Sequence, residues 1–196
     1  MPYCDEKKII FLHVPKTGGT TIKRIFDISL FHDSNPATSP SPQHFTCNML
    51  EERIGHQKYS DYYKFAFVRN PWSRILSSYF WRQTLPKERP VLPFEDFIGN
   101  VAQIVAKKNY YSQEFGDHFI PQTEFTSDVN DIFKFEDFEA SIATIAAKTG
   151  IVINKIPPKK AKHYDDYTKF YNKETRQIIA KIYKTEISKF GYSFEI

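Results

Sequence analysis

Two short apolar runs punctuate the chain. Ile9–Val14, with His13 inside it, stops at Pro15, and Phe65–Val68 sits between Lys64 and Arg69. Runs this short, bounded by breakers, favour buried strands over helices. Asp131–Phe135 has the same character and predicts a third strand. Elsewhere the apolar positions recur at helical spacing. Ile22, Ile25 and Phe26, with Ser29 on the same face, predict a helix to about Leu30. Trp72, Ile75, Leu76, Tyr79 and Phe80 form a buried stripe opened by Asn70-Pro71, where a proline in the first helical turn costs little. Phe94, Phe97, Ile98, Val101 and Val105 follow Pro93 as another helix. Phe138, Ile142 and Ile145 predict one ending at Gly150, and Ile178, Ile179, Ile182, Tyr183, Ile187 and Phe190 a last one closing at Gly191. Thr46 is placed to cap a short helix through Arg53, which Gly55 would end. The remainder is connection: a long loop over Phe31–Gln43, a Pro- and charge-rich link over Leu85–Pro93, an aromatic irregular stretch over Asn109–Asp128, a short extended segment over Ile151–Ile156, and a basic loop, Pro157–Lys162.

Strands alternating with helices imply an α/β fold with a central parallel sheet covered on both faces. With 196 residues and no repeat, a single domain over residues 1–196 is expected. Ligands of such sheets sit off the carboxyl ends of the strands. Two strand ends carry polar signals. After the first come Lys16, Thr17, Gly18, Gly19, Thr20 and Thr21. A Gly-rich turn aims backbone N–H groups at one point, the helix N-terminus adds partial positive charge, Lys16 a full one, and the threonine hydroxyls further donors. That combination suits a phosphate or sulfate; the plainer alternative is a corner whose glycines only make the turn. After the second strand comes Arg69, with Ser77 and Ser73 at the polar margin of the next helix and Arg74 and Arg82 nearby. A guanidinium fork and a serine hydroxyl can grip one phosphate. Two such grips imply a nucleotide phosphorylated at two places.

Composition narrows the class. Apolar residues make up 41% and aromatics 16%, which excludes a disordered chain. A net charge of +4 suits an anionic ligand without singling out nucleic acid, and the aromatics fall on apolar stripes, so core is their better assignment. No apolar run approaches the ~18–20 residues of a membrane span, and MPYCDEKK lacks a signal-peptide core. Cys4 and Cys47 are too few for a disulfide framework or a four-ligand zinc site. A cytoplasmic setting is expected; a piece cut from an anchored protein would instead belong to the Golgi lumen or a membrane.

VPKTGGTT, followed downstream by FAFVRNPWSRILSSY, resembles the sulfotransferases that use 3′-phosphoadenosine 5′-phosphosulfate (PAPS). The likeness is greatest to the carbohydrate-type branch with the heparan and chondroitin sulfotransferases and small bacterial relatives. It extends more weakly through HFTCNM, HFIPQTEF, KFEDF and the closing FGYSF. The resemblance implies a parallel-sheet fold related to the P-loop nucleotide kinases. It implies that Lys16, Thr17, Gly18, Gly19, Thr20 and Thr21 bind the 5′-phosphosulfate, and that Arg69 and Ser77 bind the 3′-phosphate. The family's third cofactor loop would fall on Pro157–Lys162, with Lys160 taken as its contact although the match is not clean.

In that chemistry a sulfuryl group moves in line to an acceptor hydroxyl, no metal is required, and adenosine 3′,5′-bisphosphate is left. Lys16 and the loop N–H groups would stabilise charge on the leaving oxygen, and a general base would take the acceptor proton. His is the default near neutral pH. His44, between the two motifs in an H-x-T context, matches the family's base. His118 is the runner-up and would line the acceptor cleft with Gln122 and Glu136; Glu136 could also serve as base or orient a lysine. His13 is expected to be a packing residue, and His32, His56 and His163 loop or surface residues. The acceptor is expected to be a small molecule or carbohydrate, shaped by Phe31–Gln43 and by Tyr110, Tyr111 and Phe119. Neither nucleic acid nor stable membrane insertion is expected, and the oligomeric state is open. Two rival classes stand beside this. A P-loop kinase would need its lysine after the glycines, whereas Lys16 precedes Gly18. A non-catalytic nucleotide- or glycan-binding module would share the anion sites but lack a base.

Overall fold

Every residue of Ile9–Leu12 (β2) is buried, and so are five of the six in Tyr63–Val68 (β3). Strands buried on both faces belong at the centre of a helix-covered sheet. In the computed structural model, which describes residues 2–28, 41–85, 92–112, 115–153 and 166–195, β2 and β3 are the middle of a four-stranded sheet. Its order is Tyr3–Cys4 (β1), β2, β3, Asp131–Lys134 (β4). β1 pairs antiparallel with β2; β2, β3 and β4 are mutually parallel, with Phe11 opposite Phe65 and Phe67 opposite Phe133. The parallel register puts the ends of all three strands, and hence the segments starting at His13, Arg69 and Phe135, along one edge.

Eight α-helices are present among the described residues: Gly19–Phe26 (α1), Cys47–Ile54 (α2), His56–Asp61 (α3), Pro71–Arg82 (α4), Phe94–Ala106 (α5), Phe138–Thr149 (α6), Lys173–Ile182 (α7) and Lys184–Phe190 (α8). The chain divides into two compact units, Met1–Arg69 with Gln122–Lys159, and Asn70–Pro121 with Lys160–Ile196. The first holds the sheet. Ile9, Phe11, Phe65 and Phe67 on one face pack with Ile22 and Phe26 of α1 and Phe138, Ile142 and Ile145 of α6. The second is helical, built on Trp72, Ile75 and Leu76 of α4, Phe97, Ile98 and Val101 of α5, and Ile179 and Tyr183 of the α7 end.

Four sequence expectations change. α1 stops at Phe26, because Asp27 turns left-handed (φ 53°) and Lys7 Nζ donates to the Phe26 carbonyl at 3.0 Å. Thr46 stands at the start of α2 without a side-chain cap bond, and α3 follows directly from Gly55. The last helix is two, broken at Tyr183 (φ −110°, ψ 22°), although the apolar stripe runs through the break. β1 was not foreseen. Most of the Phe31–Gln43 loop, and Pro157–Lys162 with Lys160, lie outside the described residues.

Candidate active site

The turn after β2 is held from inside. Thr17 is fully buried and its hydroxyl donates to the Val14 carbonyl at 2.7 Å. Its proton therefore braces the loop, in place of the donation to a ligand expected from the sequence. Lys16 adopts a left-handed conformation at φ 69°, which costs a non-glycine residue about 1–2 kcal/mol. Strain of this kind persists where surrounding structure imposes it and gathers at functional loops. Gly18 follows at φ 87° as the residue before α1. A Cβ there would stand 2.9 Å from the Phe135 ring, so both backbone and space require glycine. No side chain among the described residues caps α1, and its first turn carries no acidic residue. Its N-terminal N–H groups and dipole thus face the strand-end edge with Lys16, Thr20 and Thr21 beside them.

Arg69 joins this loop. Its Nη1 donates to the Lys16 carbonyl at 3.1 Å, and its guanidinium lies over the Phe135 ring, 4.8 Å from the centroid. The two motifs, far apart in sequence, therefore meet. Phe135 was not among the sequence candidates, yet it touches both Gly18 and Arg69. Its position directly after β4, at the ligand edge of a parallel sheet, was the available signal. Gln122 is fully buried. Its Oε1 accepts the Arg69 N–H and its Nε2 donates to the Arg69 carbonyl, both at 2.8 Å. In place of the acceptor contact expected from the sequence, its amide holds the backbone at the end of β3. Glu136, next after Phe135, is exposed.

His44 and His13 form a pair. Both are buried, with ring centroids 4.6 Å apart, and His13 also stacks on Phe11 at 5.1 Å. His44 Nδ1 lies 3.1 Å from the His13 carbonyl oxygen. A carbonyl only accepts, so this contact places a proton on Nδ1, which in the neutral ring leaves the lone pair on Nε2. His13 is therefore more than packing: its backbone orients His44, and its ring fills the space over Gly19. A Cβ on Gly19 would lie 2.0 Å from His13 Nε2.

The other candidates belong to the helical unit. Ser77 is half-buried on α4. His118 is buried, 3.3 Å through Nδ1 from Ser78 Oγ, with the Trp81 ring 4.8 Å away. Arg74 is wholly buried: Nη1 donates to the His118 carbonyl at 2.9 Å, and Nη2 lies 3.6 Å from Glu186, itself buried. The Tyr183 ring lies 5.0 Å beneath the Arg74 guanidinium, and its hydroxyl donates to the Phe119 carbonyl at 2.8 Å. Burial pushes the Tyr183 phenol well above its usual pKa, with Arg74 opposing. Arg74 thus fastens the His118 segment to α4 and α8 and is not a surface cation. Among the described residues, no group of His, Cys, Asp or Glu could hold a metal ion, and no helix is long and apolar enough to cross a membrane.

The model of the sulfotransferase family matches residues 1–193. Carbohydrate sulfotransferase 10 of Xenopus laevis is 21% identical over 240 residues, covering 96% of this chain and 66% of that protein. Its Danio rerio namesake is 24% identical over 156 residues, covering 60% of this chain and 41% of that protein. An uncharacterized protein of Archaeoglobus fulgidus is 28% identical over 105 residues, 53% of this chain and 80% of that one. The chain thus spans between about two fifths and two thirds of the carbohydrate sulfotransferases it matches. No solved structure matches.

Proposed function

Because the chain belongs to the sulfotransferase family, with its P-loop-like α/β fold, we propose that its two units act as one sulfotransferase domain that transfers a sulfuryl group from PAPS to an acceptor hydroxyl. The name of the carbohydrate sulfotransferase relatives supports a sugar hydroxyl as the acceptor class. The observation that carries the proposal is the meeting of the two anion motifs, Arg69 Nη1 on the Lys16 carbonyl at 3.1 Å. A loop with an uncapped helix N-terminus, a lysine and a neighbouring arginine fits a ligand that carries anionic groups at two places.

When bound, PAPS supplies the sulfuryl group. Lys16, Gly18, Gly19, Thr20 and Thr21 are assigned to the 5′-phosphosulfate, Thr17 to bracing their loop. Arg69 and, from the sequence motif, Ser77 are assigned to the 3′-phosphate, and Lys160, from the third loop, to a cofactor phosphate. Lys16 stabilises negative charge at the leaving oxygen, an interaction that strengthens as that charge develops. His44 Nε2, presented by the Nδ1–H bond to His13, takes the acceptor hydroxyl proton. Glu136, exposed at the strand-end edge, and His118 are assigned to the acceptor side. The test is to incubate the protein with PAPS and a panel of saccharides, following release of adenosine 3′,5′-bisphosphate. Acceptor-dependent release is expected, with His44→Ala losing at least ~100-fold of it while still binding the bisphosphate. Full turnover by His44→Ala would move the base to His118 or elsewhere.

A further inference from the structure

β3 runs out of partners where its functional residue begins. Its last pair with β2 is Ala66 with Leu12, and its last pair with β4 is Val68 with Lys134. Arg69 lies three residues beyond the β2 ladder and one beyond the β4 ladder. A backbone N–H and C=O leaving a sheet at a buried edge need other partners, and the Gln122 side chain supplies them. Its amide offers one acceptor and two donors in a plane, and both 2.8 Å contacts reproduce what a neighbouring strand would give. Gln122 is itself steadied, since Thr126 Oγ1 donates to the Gln122 carbonyl at 3.1 Å. Full burial removes Gln122 from any solvent-facing acceptor.

Resting on the assignment of Arg69 to the 3′-phosphate, we infer that Gln122 is a positioning residue that presets Arg69, and so determines how strongly the protein distinguishes a 3′-phosphorylated nucleotide from one without that group. The clasp fixes the Arg69 backbone and hence the direction in which its side chain leaves the sheet. The Phe135 ring below the guanidinium and the Lys16 carbonyl at Nη1 then fix the side chain. A cation held in place before binding loses less rotamer freedom on binding, and a planar fork is useful only when correctly aimed. Without the clasp Arg69 keeps its charge but loses its aim.

The experiment is calorimetric titration of adenosine 3′,5′-bisphosphate and of adenosine 5′-phosphate into wild type and Gln122→Met, a swap of similar volume without the amide. The ratio of the two dissociation constants reads the 3′-phosphate contribution alone. For wild type it should be about tenfold or more, the range of a charged hydrogen bond, and for Gln122→Met it should fall close to one. A merely structural role would weaken both ligands together and leave the ratio unchanged. That outcome overturns the inference while leaving the proposed function standing. A wild-type ratio near one overturns the assignment of Arg69 itself. If Gln122→Met does not fold, Gln122→Glu, which keeps the acceptor for the Arg69 N–H, should give an intermediate ratio, and an unchanged one again overturns the inference.

Discussion

Gly19→Ala reports on the His13–His44 pair, because two effects of opposite sign compete there. Gly19 opens α1 at an ordinary helical position. By helix propensity alone, alanine would be favoured by up to about 1 kcal/mol. Against this, the new Cβ would stand 2.0 Å from His13 Nε2 and 2.3 Å from its Cε1. The tip of a flexible side chain would simply move aside. His13 is not such a tip: it is 8% exposed and lies between the Phe11 and His44 rings. Overpacking of a filled site costs about 1–3 kcal/mol, so the clash outweighs the propensity gain and the variant is destabilised by roughly 0–2 kcal/mol net. For a chain of this size that lowers the melting temperature by up to ~8 °C in scanning calorimetry. The sharper test is the cycle with His13→Ala. Removing the ring removes the clash, so the double variant should be more stable than the sum of the single effects by about 1 kcal/mol or more. Additive single effects, or a Gly19→Ala protein more stable than wild type, would show that no clash with His13 exists.

Three further outcomes follow from the packing. Arg74→Ala removes the cation facing buried Glu186 and the donor to His118. It should cost about 3–5 kcal/mol in urea denaturation, whereas Arg74→Met with Glu186→Leu should cost less than Arg74→Ala alone. A double replacement as damaging as the sum would contradict this. Asp131 feels burial, which would raise its pKa, but hydrogen bonds from Lys148 and Tyr63 hold it below the usual carboxylate value. A depressed carboxylate contributes above its unfolded pKa and loses that contribution as pH falls through the folded value. Asp131→Asn should therefore cost up to about 1 kcal/mol at pH 7, Lys148 being half exposed. The difference from wild type should shrink below pH ~4, and one that persisted there would contradict it. Gly116→Ala would set a Cβ 2.4 Å from the Tyr110 backbone oxygen. It should lower the melting temperature by several degrees, at a cost of about 1–3 kcal/mol, and an unchanged melt would count against the close approach.

Where local chemistry alone decided an element, the sequence was sufficient. β2, β3 and β4 lie where short apolar runs predicted them, α4 and α5 begin at the prolines that punctuate them, and α6 ends at its glycine. What failed depended on partners distant in the chain. The early end of α1 involves Lys7 reaching the Phe26 carbonyl, which no window around Phe26 contains. The break at Tyr183 is hidden because Ile178, Ile179, Ile182, Tyr183 and Ile187 keep one helical stripe across it. The same contrast holds at the site. Residue type and place at strand ends make Lys16, Gly18, Gly19 and Arg69 candidates from the sequence. The use of the Thr17 hydroxyl on Val14, the Gln122 amide on Arg69 and the Phe135 ring under Arg69 are tertiary facts. A polar residue in a motif is visible in one sequence; the direction in which its donors and acceptors point is not.

The claim that Lys16 and Arg69 together hold a nucleotide phosphorylated at two places meets its most direct test in one titration. Adenosine 3′,5′-bisphosphate and ATP are each titrated into the protein with and without magnesium. The bisphosphate should bind about tenfold tighter or more, independently of magnesium, and Lys16→Ala and Arg69→Ala should each weaken it by about tenfold. ATP binding as tightly or more tightly, and only with magnesium, would contradict it.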